Sequence, residues 1–372
     1  MERVKKENRS LILKCINNNG PLSRKDIAAQ TGLTPASVTQ ITTLLIDEGI
    51  LLEVGSVQEN TGTAGRKKIL LDINESFSYV CSVNIEQKDT TIAICDLKGQ
   101  LKNLTKIPTA NSSPEEFLTL VSYNIKALIG DLSPESRSKL KCISVGIPGI
   151  VNKEKGLSVH AYGIWNRQVN IRSILEKNLN LPVIIENNVN AFGNAEILFG
   201  LGRSYDSLLI IKWGPGVGST IVADGKVYEG RHGKTAELGH FIAIKNGKKC
   251  NCGRRGCLET IASYDALSEI MDFKTEEFEN KYLSASTETK DAIDNVIDFF
   301  ARSLVNTCTI IAPNRIVLSG SLFAGSTIRD SLIGACENYD PAFNTNRIRY
   351  TSLSDKESYI GPAAVYINRL LF

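Results

Sequence analysis

The sequence lacks any apolar run long enough to cross a membrane, since stretches such as Leu208 to Ile211 fall far short of the ~20 residues that a spanning helix needs. Its charged start, Met-Glu-Arg-Val-Lys-Lys-Glu-Asn, has no apolar core behind it, which argues against a secretory signal peptide. These two absences predict a cytoplasmic protein without a membrane partner. In that compartment the nine cysteines are expected to be reduced thiols rather than disulfides.

The chain also lacks a strong compositional bias. Its 372 residues are 42% hydrophobic and 22% charged, which excludes a disordered, collagen-like or disulfide-stapled protein. At about 150 residues per domain, the length predicts two to three domains. The net charge of +3 is carried by residues 1–70, which hold ten Lys/Arg and seven Asp/Glu. This excess weakly favours an anionic partner for the first segment, although a mildly basic, solvated end explains it as well.

The first seventy residues carry the signals of a helix-turn-helix. Apolar periodicity predicts a first helix over residues 8–17, and Gly20-Pro21 ends it. Two short helices with their own start and stop signals follow, joined by a tight turn. These signals are the cap Ser23 with Asp26, the terminal Gly32, the cap Thr34 with Pro35 at the first helical position, and the terminal Gly49.

The second of these short helices is expected to enter the major groove of DNA with short, polar, uncharged side chains. Residues 50–54 and 68–73 are predicted to pair as a two-stranded wing whose basic end can reach phosphates or a minor groove. The alternative is a small helical bundle used for protein contact. The predicted DNA-contacting residues are Ser23, Arg24, Thr34, Ser37, Thr39, Gln40, Thr43, Arg66 and Lys67.

After Asn74 the pattern changes to alternating strands and helices, which predicts an α/β region. Strands are expected at residues 79–85, 91–96, 101–107, 142–147, 183–186, 207–212 and 315–318. Helices are expected from Pro114, from about Val189, over 290–311 and over 361–371. Asp224-Gly225 predicts a type I′ hairpin turn.

One histidine and three clustered cysteines give the most specific chemical signal of the sequence. His240, Cys250, Cys252 and Cys257 supply one imidazole and three thiolates, which complete a tetrahedral zinc shell and leave no open position for catalysis. Gly253 and Gly256 allow the chain to turn sharply around a metal. Three free surface thiols are the alternative. The other six cysteines are predicted to be core residues: Cys15, Cys81, Cys95, Cys142, Cys308 and Cys336.

Taken together, these motifs resemble those of a transcriptional regulator of the ROK family (repressor, open reading frame, kinase), of the xylose-repressor or N-acetylglucosamine-repressor kind. The resemblance covers nearly the whole chain. It rests on the winged helix-turn-helix with Gly65-Arg66-Lys67, on Gly146-Ile-Pro148-Gly149, on Leu181 to Asn190, on Gly214-Pro-Gly216-Val-Gly218, and on Glu237-Leu-Gly-His240 with the cysteine cluster and Gly256-Cys257-Leu258-Glu259.

The resemblance implies a winged helix-turn-helix domain followed by two actin-like (ribonuclease H-like) α/β domains with sugar in the cleft between them. The expected bounds are residues 1–73 for the DNA-binding domain, 74–190 with 358–372 for the first α/β domain, and 191–357 for the second, which holds the zinc loop. A homodimer, or a tetramer, is expected on operator DNA. Carried over by motif, the sugar-binding residues are Asn187, Asn188, Glu237, His240 and Glu259.

Two departures from the family's kinase pattern argue against phosphoryl transfer. The kinases carry Asp where this chain has Asn188, and an amide cannot accept the proton of a sugar hydroxyl. The first phosphate loop of the kinases, Asp-x-Gly-Gly-Thr, is replaced here by Asn84-Ile-Glu86-Gln-Lys88. Pro215 also removes a backbone donor from the second glycine-rich loop.

The resulting prediction is a sugar-responsive regulator, most readily a repressor, with no catalytic residues and with structural zinc. Two alternatives stay open at this point. One is an ATP-dependent sugar kinase fused to a DNA-binding domain, and the other is a DNA-binding protein without a small-molecule effector.

Overall fold

The structure, a computed structural model, describes residues 2–57, 67–109, 112–230 and 235–372. A small N-terminal unit of three helices and three strands precedes two larger α/β units, each built on a five-stranded sheet. Among the described residues, no helix is both long and apolar enough to span a bilayer.

The N-terminal unit is a winged helix-turn-helix, as predicted. Its three strands form a sheet in the order β1-β3-β2, in which β2 and β3 pair antiparallel with Leu51 opposite Ile73. Ile12, Ile27, Val38 and Leu45 are fully buried between the helices and this sheet. The elements are α1 (Glu2–Asn19), β1 (Leu22–Ser23), α2 (Arg24–Thr31), α3 (Pro35–Asp47), β2 (Leu51–Val57) and β3 (Lys68–Ile73).

The first α/β unit has the sheet order β10-β7-β4-β5-β6, with parallel pairing along β10-β7-β4 and antiparallel pairing along β4-β5-β6. Its strands are β4 (Tyr79–Ile85), β5 (Asp89–Cys95), β6 (Leu101–Pro108), β7 (Leu140–Ile147) and β10 (Val183–Asn187), with a separate hairpin of β8 (Ile150–Asn152) and β9 (Leu157–His160). Its helices are α4 (Pro114–Gly130), α5 (Pro134–Lys139), α6 (Ile171–Leu179) and α7 (Asn188–Phe199).

The second α/β unit has the sheet order β13-β12-β11-β14-β15. Its strands are β11 (Leu208–Trp213), β12 (Val217–Ala223), β13 (Lys226–Val227), β14 (Arg315–Ser319) and β15 (Ile348–Tyr350). The helices that follow β13 are α8 (Glu259–Ala262), α9 (Tyr264–Ser268), α10 (Phe278–Ser284), α11 (Thr287–Ile311), α12 (Ser326–Tyr339) and α13 (Glu357–Leu371).

The last helix, α13, returns to the first sheet. It packs along α7 and across β4, where Ile360 and Ala363 join Phe192 and Val80 in one buried cluster. The helix α7 also contacts β12 of the second sheet, so α7 and α13 lie where the two α/β units meet.

Most predicted elements are confirmed, with two corrections. The first helix spans Glu2–Asn19 rather than residues 8–17, because charged residues extend it, with Arg3 and Glu7 paired one turn apart at 2.8 Å. Cys15 is only partly buried and donates to Gln30 Oε1 at 3.2 Å, whereas the other five cysteines assigned to packing are buried. The Asp224-Gly225 turn is confirmed, with φ values of 52° and 66°.

Candidate functional site

The helix-turn-helix is built by side-chain caps at two successive helix starts. Ser23 Oγ accepts from the backbone N–H of Asp26 and donates to its carboxylate at 2.6 Å, which fixes the start of α2. Gly32, with φ of 70°, ends α2 in the left-handed conformation. Thr34 Oγ1 accepts from the backbone N–H of Ser37 at 3.2 Å, and Pro35 occupies the first turn of α3. The turn between the helices is therefore only three residues long, from residue 32 to 34.

The outer face of α3 is polar and accessible. Thr34, Thr39, Gln40 and Thr43 are exposed, and Ser37 is half-buried beside its cap. Lys67, which immediately precedes β3, is also exposed. These are the predicted DNA-contacting side chains that solvent reaches.

Two other residues predicted to contact DNA have partners inside the domain, and a third is not among the described residues. Ser23 is 2% exposed and its hydroxyl serves the cap of α2. Arg24 turns inward, donating from Nε to Thr42 Oγ1 at 3.0 Å and lying 3.7 Å from Glu53 of the wing. Arg66 lies outside the described residues.

A feature that the sequence reasoning missed lies beside α3. The N-terminal half of α1 brings cationic side chains to the same groove as Ser37 and Gln40, and this groove has a volume of about 370 Å³. Lys5, Lys6 and Arg9 line it from the α1 side. The sequence contained this signal as a basic N-terminal run, but only the packing of α1 against α3 aligns it with the exposed polar face.

The histidine and the three cysteines of the predicted metal site come together in the second α/β unit. Their ligand atoms all lie within 4.8 Å of one another, with His240 Nδ1 3.6 Å from Cys250 Sγ and Cys252 Sγ 3.7 Å from Cys257 Sγ. His240, Cys250 and Cys257 are buried and Cys252 is half-buried. Three sulfurs and one imidazole nitrogen at this separation fit a tetrahedral metal shell.

Local backbone constraints explain how the cysteine loop closes. Gly256 has φ of 73°, and a Cβ at this position would lie 1.7 Å from the carbonyl oxygen of Ile244, so only glycine fits. Burial raises the pKa of the Cys250 thiol to about 12. A thiolate at this depth therefore needs a cation beside it, which a bound metal supplies.

The other side of His240 faces a cavity of about 110 Å³ between the two α/β units. His240 Nε2 lies 3.6 Å from Glu237 Oε2, and the imidazole makes a T-shaped contact with the ring of Tyr162, with ring centroids 5.7 Å apart. Glu259 Oε2 accepts from the backbone N–H of Val217 at 3.3 Å. Burial raises the pKa of the Glu259 carboxyl. The cavity wall thus carries carboxylates, an imidazole and a phenol ring within a small volume.

Asn187 and Asn188 lie at the same cavity but have different partners. Asn187 Oδ1 accepts from the backbone N–H groups of Val189 and Asn190 and so caps α7, while its Nδ2 donates to Gly149 O at 2.9 Å. Both ends of the Asn187 amide are therefore used within the fold. Asn188 Nδ2 donates to Glu86 Oε1 at 3.2 Å.

A network of charged side chains closes the cavity beyond Asn188. Lys212, at the end of β11, lies 2.9 Å from Glu86 Oε1 and 3.1 Å from Glu357 Oε1. Burial alone would lower the pKa of Lys212, but the two carboxylates outweigh burial and raise it. Glu357 in turn accepts from the backbone N–H of Gly320 at 3.1 Å. The network joins the β4–β5 turn, β11, the turn after β14 and the start of α13.

Sequence reasoning singled out Glu86 but not Lys212 or Glu357. These two residues stand 145 positions apart in unrelated sequence contexts. No motif or periodicity connects them, so their proximity follows only from how the two sheets and α13 pack.

Comparisons with known proteins agree with this architecture. A protein-family model described as winged helix-turn-helix DNA-binding matches residues 6–51. The family model described as the ROK family matches residues 80–369. The xylose repressor of Bacillus subtilis is 25% identical over 376 residues, covering 99% of this chain and 97% of the repressor. The DNA-binding transcriptional dual regulator NagC of Escherichia coli K12 is 26% identical over 388 residues, covering all of this chain and 95% of NagC.

Solved structures show the same fold. A ROK family transcriptional regulator, described as a homolog of the E. coli MLC protein, superposes with a TM-score of 0.80 at 25% identity, covering 99% of this chain and 96% of its own. A ROK hexokinase from Thermus thermophilus superposes with a TM-score of 0.66 at 23% identity and covers 78% of this chain, almost its own full length. The sequence, the winged helix-turn-helix and the paired α/β units together place this chain in the ROK family.

Proposed function

We propose that this protein is a sugar-responsive transcriptional repressor that binds operator DNA as a dimer, or as a tetramer, in the cytoplasm. The observation that carries the proposal is the presence, on one chain, of an exposed polar recognition helix and of a cleft lined by hydrogen-bonding side chains. The full-length likeness to a xylose repressor and to NagC supports it.

DNA binding is assigned to the outer face of α3 and to the cations beside it. Thr34, Ser37, Thr39, Gln40 and Thr43 are suited to base edges and phosphates, because their hydroxyl and amide groups both donate and accept. Lys67 and the α1 residues Lys5 and Lys6 are suited to backbone phosphates. Arg66 stays in the proposal on sequence grounds alone, whereas Ser23 and Arg24 support the domain's own packing.

Sugar binding is assigned to Asn188, Glu237, His240 and Glu259. Sugar hydroxyls need donors and acceptors held rigidly at several angles, and these side chains provide both. Asn187, the fifth residue of the expected set, contributes by holding the start of α7 and the Gly149 loop in place.

The metal is proposed to be zinc in a structural role, held by His240, Cys250, Cys252 and Cys257. When bound it fixes the orientation of the imidazole, so that Nε2 is presented to the cavity beside Glu237. Metal analysis of the purified protein should find about one zinc per chain. Cys252→Ser should lose the zinc and unfold at lower temperature, and the matched control Cys15→Ser, in the DNA-binding domain, should keep it.

Zinc retained in Cys252→Ser at the wild-type ratio would contradict this assignment. Zinc lost equally from Cys15→Ser would indicate a general loss of structure rather than loss of a ligand.

We further propose that the protein is not a kinase. Asn188 cannot act as the base, and Glu86 puts a carboxylate in the stretch that replaces the family's glycine-containing first phosphate loop. The protein should release no ADP from ATP with any sugar of a hexose and pentose panel. ADP release that is lost in Glu237→Gln would establish the kinase alternative instead.

The function itself is tested with the full-length protein and a palindromic DNA fragment from upstream of its own gene. A sequence-specific gel shift that a sugar reverses supports the proposal. A specific shift that no sugar changes indicates a DNA-binding protein without an effector, and no specific shift with a dimeric preparation contradicts the proposal.

A further inference from the structure

The end of the proposed sugar cavity at Asn188 is formed by a carboxylate. Glu86 Oε1 accepts from Asn188 Nδ2 at 3.2 Å, from Asn84 Nδ2 at 3.3 Å and from Lys212 Nζ at 2.9 Å. A sugar hydroxyl that contacts Asn188 therefore has Glu86 as its next polar neighbour.

The positive charge beside this carboxylate, the ammonium group of Lys212, is already paired with carboxylates. Lys212 supplies the one ammonium or guanidinium group among the described residues that line the cavity. It pairs with Glu86 and Glu357 at the same time, and its side chain is only 15% exposed. Two carboxylates share one ammonium group, so the Glu86–Lys212–Glu357 network itself carries one more negative than positive charge. Lys88, which lines the adjoining cavity with Glu86, has its ammonium group over the Tyr264 ring, 3.7 Å from the centroid.

This charge pattern discriminates between two classes of ligand. A neutral hydroxyl at the cavity end can donate to Glu86, and a hydrogen bond to a charged acceptor is stronger than a neutral one. A phosphate ester at the same point would bring about two negative charges against the carboxylate, with no free cation among the described lining residues to balance them.

We propose that the effector is an uncharged sugar rather than a sugar phosphate, and that Glu86 is the residue that sets this preference. The inference rests on the proposed sugar-sensing function and adds the chemical class of the ligand. Glu86 acts as a selectivity residue through its charge, while Asn188, Glu237 and His240 contact the sugar.

The test is calorimetric titration of the full-length, zinc-loaded protein with matched pairs of ligands. The pairs are glucose and glucose 6-phosphate, N-acetylglucosamine and its 6-phosphate, and xylose and xylose 5-phosphate. We expect at least one neutral sugar to bind and its phosphate to bind at least tenfold more weakly. Tighter binding of a phosphate than of its parent sugar would overturn the inference while leaving sugar sensing intact.

A second comparison assigns the preference to Glu86. Glu86→Gln keeps the size and an acceptor oxygen but removes the charge. It should therefore narrow the affinity gap, meaning the ratio of sugar affinity to sugar-phosphate affinity, several-fold. Glu135→Gln, a surface control on α5, should leave the gap unchanged. An unchanged gap in a folded Glu86→Gln variant would overturn the role of Glu86.

The wild-type titrations decide the ligand class even if Glu86→Gln does not fold. If no member of any pair binds, the proposed sugar-sensing function fails and this inference fails with it. The failure of the inference alone, by phosphate preference, is thus distinguishable from the failure of both.

Discussion

Two adjacent asparagines show how a motif carries different roles at neighbouring residues. Both ends of the Asn187 amide have partners inside the fold, with its oxygen on the N-cap of α7 and one N–H of its nitrogen on Gly149 O. The side chain of Asn188 lies at the cavity and contacts Glu86. A family motif can place both residues at the site, but their hydrogen bonds differ, which supports our proposal that Asn187 positions the site and Asn188 contacts the ligand.

This distinction predicts that Asn187→Ala mainly lowers stability. Loss of the N-cap costs about 0.5–2 kcal/mol. The carbonyl oxygen of Gly149 also loses its donor, which adds to that loss. Urea unfolding measures the change, with Asn124→Ala, at a half-buried position on α4 away from the cavity, as a control expected within about 0.5 kcal/mol of wild type. Wild-type stability combined with abolished sugar binding would show that Asn187 is a direct ligand.

Glu196, on the buried side of α7, gives a pH prediction. Burial raises the pKa of its carboxyl, against hydrogen bonds from Thr351 Oγ1 and the backbone N–H of Leu201. A raised carboxyl pKa means that the folded state favours the protonated form, so this residue stabilises the fold at low pH. That contribution should be lost as pH rises from the unfolded-state pKa near 4.5 through the raised value.

The measurement is the pH dependence of urea unfolding for wild type and Glu196→Gln. The free energy of unfolding of the wild type should fall relative to that of the variant as pH increases over this interval. Parallel pH curves for the two proteins would show that Glu196 does not titrate with a raised pKa.

At the scale of elements, sequence prediction succeeded where the signal is local. The caps Ser23 and Thr34, the terminal Gly32 and the Asp224-Gly225 turn each act within four residues, and each is found in the structure. Elements without such signals were missed, including the β8–β9 hairpin, α6 and α12, because their short or mixed apolar patterns do not separate helix from loop.

The residues of the candidate site likewise fall into a group that sequence spacing predicts and a group that only the folded chain brings together. The four candidate metal ligands lie within eighteen residues of one another, so their spacing alone predicted the cluster that the structure brings together. The Glu86–Lys212–Glu357 network draws on β4–β5, β11 and α13, so tertiary packing alone creates it.

The recognition helix carries a prediction of its own. Gln40→Ala should weaken operator binding by about 1–3 kcal/mol and relax specificity, because its amide is suited to a base edge. Lys67→Ala should weaken binding to all sequences and reduce the dependence of log affinity on log salt by about one unit. Fluorescence anisotropy at several salt concentrations separates these effects, with Gln100→Ala as a matched control. Equal weakening of operator and unrelated DNA by Gln40→Ala would exclude base readout by this residue.

At the scale of the whole molecule, α7 links the cleft to the DNA-binding domain. The helix begins at Asn188 beside the cavity and extends ~18 Å toward α1, at 1.5 Å per residue. At its far end Asn17 Nδ2 of α1 donates to Leu198 O at 2.7 Å, and Asn18 Nδ2 donates to Arg203 O at 3.1 Å. A sugar that moves the start of α7 therefore acts on an element that contacts the DNA-binding domain directly.

This contact predicts that Asn17→Ala weakens communication more than binding. The variant should bind sugar and operator separately with near wild-type affinity, but the sugar should change operator affinity less than in the wild type. Operator titrations with and without sugar measure this change. Unaltered coupling in the variant would show that communication does not pass through this hydrogen bond.

The most direct test of the account is the operator affinity of the full-length, zinc-loaded protein with and without a saturating neutral sugar that it binds. Coupling of about 1–3 kcal/mol, typical of allosteric proteins, predicts a 5- to 150-fold weaker operator complex with the sugar bound. Operator affinity that is identical with and without every sugar bound by the cleft would contradict the account, because cleft and recognition helix would then act independently.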